Sequence, residues 1–342
     1  MTVQLSQSPL IIAGMGRSGT SLTTSLLQSA GLHVGENFLP VYPGAVRGLF
    51  ENLDFVHFHK KQLREFGQPE EGWVTSPLPD ASETARLEAQ QLIAKNQRDA
   101  GWGWKDPRTT LFLNFWHEIL PDAKFLFLIR SPWHVIDSLY RRGDAAFLTN
   151  PSLALEVWEF YNNSLISFVE QHAESSLVFH IDTVITSPQK VIELINQKFA
   201  YQLGTADEEL FSADRISTEE PPLSLAAAEL MPEIAVVWQR LLNLAELSTS
   251  IATTETKPGM ENSPTGAILS HWQKMRALER QLTTTAAASE KTITDLSNEL
   301  QALQRNLATE LQRHKQESRL IINLRTAKDI IIQTTFGKKT KR

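Results

Sequence analysis

Apolar positions along this chain follow two alternating patterns. The run Leu10, Ile11, Ile12 and the segments 124–129 (KFLFLI) and 177–181 (LVFHI) are short and unbroken, as buried strands are. Segments 109–120, 134–142, 153–171 and 188–200 instead repeat their apolar positions every three or four residues, which predicts helices. Leu22 through Leu27 with Ala30 reads as a further helix, and the tryptophan-rich GWGWK segment ending at Lys105 as a further strand. Alternation of this kind from residue 10 to about 247 predicts an α/β fold, a parallel sheet sandwiched by helices.

The pattern changes near residue 250. Residues 248–266 lose periodicity and fill with Ser, Thr, Pro and Gly, which marks a linker between a domain at 1–247 and a C-terminal segment of different character. Residues 267–332 form a helical extension, free of proline and glycine from residue 268 onward. Leu282, Ala286, Ser289, Ile293, Leu296, Leu300, Leu303 and Leu307 are spaced by alternating steps of four and three, a coiled-coil seam that weakens at Leu311 and resumes loosely at Ile321 and Leu324. A seam of this type serves self-association or docking to a protein partner, here through residues 270–330; a long amphipathic helix folded back on the domain is the other reading. Residues 333–342 are a short basic tail.

Composition narrows the function. A net charge of −6 argues against a protein that coats nucleic acid, which needs a basic excess. The absence of cysteine removes disulfides, thiolate metal sites and cysteine nucleophiles together. The N-terminus has no basic signal-peptide region, and no run of about 18 apolar residues exists to span a bilayer. These features lead us to expect a soluble cytoplasmic protein with no transmembrane segment.

Candidate chemistry begins where the first strand stops. In AGMGRSGTS, Gly14, Gly16 and Gly19 allow a tight turn whose N–H groups cradle an anion at a helix N-terminus. Gly14, Gly19 and Ser21 fit the G-x-x-x-x-G-K-[ST] pattern of P-loops, but Thr20 stands where the lysine belongs and the nearby cation is Arg17. A loop that keeps the nest and moves the charge is suited to a phosphate ester other than an ATP–magnesium pair. Downstream, WKDPR places Lys105, Asp106 and Arg108 at a strand's C-terminal end, the edge where open α/β sheets bind ligands. Arg130 closes the 124–129 strand, and Ser138, two turns into the helix opened by Pro132, can converge with it on a second phosphate. No paired-carboxylate or histidine-rich metal motif stands at recognisable spacing.

Taken together and in this order, these motifs resemble the sulfotransferases that use 3′-phosphoadenosine 5′-phosphosulfate (PAPS), above all the bacterial branch and the tyrosylprotein sulfotransferases. The resemblance covers about residues 9–245. It implies that Gly16, Arg17, Ser18, Gly19, Thr20 and Ser21 hold the 5′-phosphosulfate and that Arg130 and Ser138 hold the 3′-phosphate. Lys105 matches the lysine placed near the transferring sulfuryl group, and IDTVITSP at 181–188 resembles a Y-E-D-L-x-x-x-P stretch. The R-x-G-x-x-G loop of the animal cytosolic enzymes is absent, which leaves the adenine pocket unassigned. The implied reaction is sulfuryl transfer to a hydroxyl or amine of a carbohydrate, lipid or peptide acceptor, with Arg17 and Lys105 stabilising charge without a metal.

The acceptor's proton needs a base. Glu36, just after the first helix, is the first choice because similar enzymes carry a glutamate there; Glu51 in GLFEN is the second, with His57 and His59 following at strand-like spacing. Residues 37–100, with the aromatics Phe38, Tyr42, Phe50 and Trp73, are expected to supply much of the acceptor pocket. Two other functions stay open from sequence. Asp182, after the 177–181 strand, would serve a P-loop kinase or nucleotide hydrolase as a magnesium ligand, and a scaffold would use only the long helix.

Overall fold

The computed structural model describes residues 7–38, 50–207, 221, 224–247, 268–288, 290–299, 301, 302 and 305. Tyr42, the linker, Ser289, Leu300, Leu303 and everything from Leu307 onward lie outside the described residues.

Four strands, β1 (Leu10–Ala13), β2 (Gly103–Lys105), β3 (Lys124–Ile129) and β4 (Ser176–His180), form one parallel sheet in the order β2-β1-β3-β4. Ile11 is paired with both Trp104 and Phe125, and Phe127 with Val178. Successive strand residues point to opposite faces, so the core divides in two. Ile11, Phe125, Phe127 and Val178 face one layer, while Leu10, Ile12, Leu126, Leu128, Leu177 and Phe179 face the other.

Helices fill both layers. The chain runs through α1 (Thr20–Ser29), α2 (Leu53–Glu65), α3 (Glu83–Asn96), α4 (Leu113–Ile119), α5 (Pro132–Arg142), α6 (Ala145–Thr149), α7 (Leu153–Gln171), α8 (Ile181–Thr186), α9 (Pro188–Phe199), α10 (Ser224–Leu230) and α11 (Pro232–Leu244). Leu26 and Leu27 of α1 and Val191, Ile192 and Ile195 of α9 cover one face; α2, α4, α5, α7 and α11 cover the other. A fully buried Leu, Ile or Phe contributes about 1.5–3 kcal/mol, so these two clusters fix the sheet and with it the position of every loop at its C-terminal edge.

Three expectations change in detail. The predicted helix at 109–120 opens as a 3-10 turn, Pro107–Phe112, because the Asp106 side chain caps it by accepting from the Arg108 N–H and Thr110 is drawn to the loop after β1. β4 ends at His180, whose ring accepts from the Asp182 N–H and starts α8 there. His57 and His59, read at strand spacing, lie on α2.

The chain divides into two compact units, Met1–Ala277 and Leu278–Arg342. Residues 268–288 and 290–299 are helical, the long C-terminal helix the sequence predicts. Its first residues belong to the first unit, where Leu269 and Trp272 are fully buried. Among the described residues, no helix is long and apolar enough to cross a membrane.

Candidate active site

The strand order reverses between β1 and β3, and the loops leaving these two strands meet at that point. Gly14 and Gly19 make the first loop. Both have positive φ, 124° and 92°, and a Cβ on Gly14 would lie 2.4 Å from the Leu128 carbonyl oxygen, one on Gly19 2.2 Å from Ile181 Cδ1. Gly16 differs: a Cβ there meets nothing within 4 Å. The third left-handed residue of the loop is Arg17, φ 75°, a conformation costly for a side-chain-bearing residue. Its neighbours hold it, since Arg17 Nε donates to Ser138 Oγ at 2.9 Å and an Arg130 N–H donates to the Arg17 carbonyl at 3.3 Å. Thr110 Oγ1 accepts from the Gly14 N–H at 2.9 Å and ties the loop to the 3-10 turn.

Two cations thus sit side by side, Arg130 buried and Arg17 open to solvent. Partial desolvation lowers the pKa of Arg17, and Arg142 lowers it further against the opposing pull of Asp144. Arg130 is lowered to about 10 by burial and then by Arg17, with Asp182 and Asp137 opposing. Repulsion between these neighbouring guanidinium groups is relieved by an anion. The N-cap of α1 is Gly19, which has no side chain to cap the first-turn N–H groups, and such a turn is an ordinary anion seat.

Beside the loop lies a cavity of about 640 Å³. Gly16, Arg17, Thr20 and Ser21 line one wall, Glu51, Lys105 and Arg108 another, and Trp73, Arg142 and Tyr161 are among the rest. Lys105, at the end of β2 and 1% exposed, donates from Nζ to Glu51 Oε1 at 2.8 Å and to Ser21 Oγ at 3.0 Å. Glu51 stands just before Asn52, the residue that caps α2 by accepting from the Asp54 N–H.

A buried relay supports this pair from behind. Asp106 Oδ1 accepts from Arg108 Nη1 at 2.7 Å, and Arg108 Nη1 reaches Glu51 Oε2 at 3.8 Å. Burial raises the Asp106 carboxyl, but Arg108 and His59 outweigh it and hold it well below the usual carboxylate range. His59 Nδ1 lies 2.9 Å from Asp106 Oδ2, and the Trp116 indole donates to His59 Nε2 at 2.9 Å. Because indole nitrogen only donates, His59 carries its proton on Nδ1 and donates a hydrogen bond from it to Asp106 Oδ2. His59 is therefore occupied inside the core, and His57 is exposed on α2.

The structure brings Arg17, Lys105, Glu51, Arg130 and Ser138 to one edge of the sheet. It sets Glu36 apart: that side chain is 78% exposed and lies 3.5 Å from Arg98 and 3.6 Å from His33. Asp182 does not line the cavity; its side chain is 60% exposed beside His180. Phe38 and Phe50 touch each other edge to face, and of the three described aromatics Trp73 lines the cavity, stacked under Arg142 at 5.3 Å. Arg142, at the end of α5 and ion-paired with Asp144, carries no motif in the sequence, where a charged helix terminus is unremarkable. Among the described residues, no group of three His, Asp or Glu is placed to hold a metal ion.

A family model for the sulfotransferase family matches residues 9–193, more than half of the 342. The chain belongs to the sulfotransferase family. Solved structures similar to this sulfotransferase include STF1 of Mycobacterium tuberculosis H37Rv, with 15% identity and a TM-score of 0.45 over 71% of this chain and 78% of that one. Another is STF9 of Mycobacterium avium, with 13% identity, TM-score 0.43, and 58% and 65% coverage. A third is the sulfotransferase domain of the Synechococcus PCC 7002 olefin synthase, with 18% identity, TM-score 0.38, and 79% and 96% coverage. No curated protein matches the chain. The match takes in the loop after β1, Lys105, Arg130 and Ser138, and it makes the chain an enzyme of sulfuryl transfer.

Proposed function

We propose that this sulfotransferase uses PAPS as its sulfuryl donor and a hydroxyl or amine of a carbohydrate, lipid or peptide as acceptor. The observation that carries the reading is the convergence of Arg17, Lys105 and Glu51 on one cavity, with Arg130 and Ser138 bonded to the same loop. The residues present suit such a donor. Gly16 leaves room beside the cavity that no protein atom needs, and the two neighbouring guanidinium groups, Arg17 and the buried Arg130, suit anionic charge.

Each residue then has a task. The loop N–H groups and Arg17 bind the 5′-phosphosulfate, and Arg130 with Ser138 binds the 3′-phosphate. Glu51, a carboxylate with its partner Lys105 at 2.8 Å, accepts the proton of the attacking acceptor group. The acceptor oxygen or nitrogen bonds to sulfur as the bond from sulfur to the 5′-phosphate oxygen breaks. Lys105 stabilises the charge that develops on that bridging oxygen, so that 3′,5′-adenosine bisphosphate departs.

Calorimetric titration with 3′,5′-adenosine bisphosphate tests the donor. Binding to the native protein and its loss in Arg130→Ala are expected; no binding, or equal binding by the variant, overturns the assignment. Lys105→Ala is expected to lower kcat at least a hundredfold, in line with loss of an oxyanion-type contact, while nucleotide affinity changes little. Weakened binding with an unchanged rate would contradict its transition-state role.

A further inference from the structure

One buried carboxylate near this site has no task in the reaction. Asp137 lies on α5 next to Ser138, and its side chain is 7% exposed. Its Oδ1 accepts from Trp272 Nε1 at 2.8 Å and from Arg276 Nε at 2.7 Å, and its Oδ2 accepts from Arg141 Nε at 2.7 Å. Burial raises this carboxyl, but the bonds from Arg276, Arg141 and Trp272 together hold it below the usual range, so it is ionised. Trp272 and Arg276 come from the start of the C-terminal helix, beyond the family match and 135 and 139 residues away in sequence.

Resting on the nucleotide reading above, we propose that Trp272 and Arg276 are positioning residues for the sulfuryl-donor site. They clamp Asp137 and so fix the rotation and register of α5, which presents Ser138 to Arg17. Adjacent helix residues project about 100° apart, so one turn of α5 faces two ways. Asp137 meets the 268–277 segment while Ser138 Oγ takes the Arg17 Nε–H at 2.9 Å. Any roll of α5 that loosens one bond loosens the other. Tyr140 adds a third restraint: its hydroxyl donates to the Pro151 carbonyl at 2.8 Å and its ring meets Trp272 edge to face. Arg17 is held in its left-handed conformation partly by Ser138, so the clamp acts on the loop's only side-chain cation. A buried ion pair adds little net stability over an apolar contact of the same shape, and its best-attested use is to specify register.

Full-length Trp272→Phe and Arg276→Met keep the packed bulk and remove the donated bonds. Nucleotide Kd, the KM for each substrate and Tm are measured for both, with Arg276→Lys as the conservative variant. Each of the first two is expected to weaken 3′,5′-adenosine bisphosphate about tenfold and raise the KM for the sulfuryl donor, with the acceptor KM unchanged. Arg276→Lys is expected to recover part of the loss. Combination with Ser138→Ala should add less than the sum of the single effects, because both act through α5. A lowered Tm with unchanged nucleotide Kd would make the contact merely structural and overturn the clamp. Arg130→Ala separates the two ideas. If that variant binds nucleotide normally, the donor reading fails and takes the clamp with it. If Arg130→Ala fails to bind while Trp272→Phe and Arg276→Met bind normally, the clamp alone is wrong.

Discussion

The three glycines of the loop after β1 are there for different reasons. Gly14 and Gly19 are demanded by the fold, because a Cβ at either would run into Leu128 or Ile181. Gly16 is not, yet it lines the cavity. Gly16→Ala is therefore expected to melt within a degree or two of the native protein while weakening 3′,5′-adenosine bisphosphate at least tenfold; equal affinity would show that the ligand does not approach there. The choice of base is decided by reach. Glu51→Gln is expected to cut kcat a hundredfold or more, and Glu36→Gln to leave it within about twofold because that carboxylate lies with Arg98 away from the cavity; the reverse ranking in steady-state assays would restore Glu36. Asp106 gives the sign of the acid response. Its pKa is lower folded than the unfolded value of about 3.9, so its contribution is complete above that value and disappears as pH falls through the folded one. Asp106→Asn should flatten the acid limb of the stability curve and cost about 3 kcal/mol near neutrality, since the buried Arg108 loses the nearer of its two carboxylates. Chemical denaturation at pH 3 and pH 7 checks both.

Strands and anion loops were legible in the sequence because each is short and local. An apolar run of four to six residues in a parallel sheet needs no alternation, and β1 and β3 carry none. α7 matches its periodic segment end to end, with ten buried positions along one side. The helices α2 and α3 were not legible, and the reason lies in α2: its buried positions include His59 and Gln62, polar residues that interrupt the apolar stripe. His59 is tolerated there because Trp116 and Asp106 satisfy both ring nitrogens, from segments about fifty residues distant. That partnership is invisible in a window of eighteen residues. The same holds for the site. Arg17, Lys105, Arg130 and Ser138 could be named from motifs, whereas the ranking of Glu36 and Glu51 depends on where α2 begins, and the Asp137 clamp joins residues 135 apart.

At the scale of the whole molecule, the second unit poses a question that the first does not. The described members of its predicted seam are bare: Leu282 is 71% exposed, Ile293 68% and Leu296 60%. Burying one such side chain contributes about 1.5–3 kcal/mol, so the seam read from the sequence offers apolar surface of the kind that joins two helices. We accordingly expect the seam to join two copies of the chain; Leu269, Trp272 and Arg276, by contrast, are buried in the unit that ends at Ala277. Sedimentation velocity on the full chain and on an Ile293→Glu, Leu296→Glu variant checks this. The native chain is expected to sediment as a dimer and the variant as a monomer, because a glutamate at facing seam positions brings like charges into an apolar contact. Nucleotide affinity should be the same for both, as Asp137, Trp272 and Arg276 all lie in the first unit. A native chain that stays monomeric at tens of micromolar would remove self-association from the role of the helix and leave its exposed leucines to a different protein.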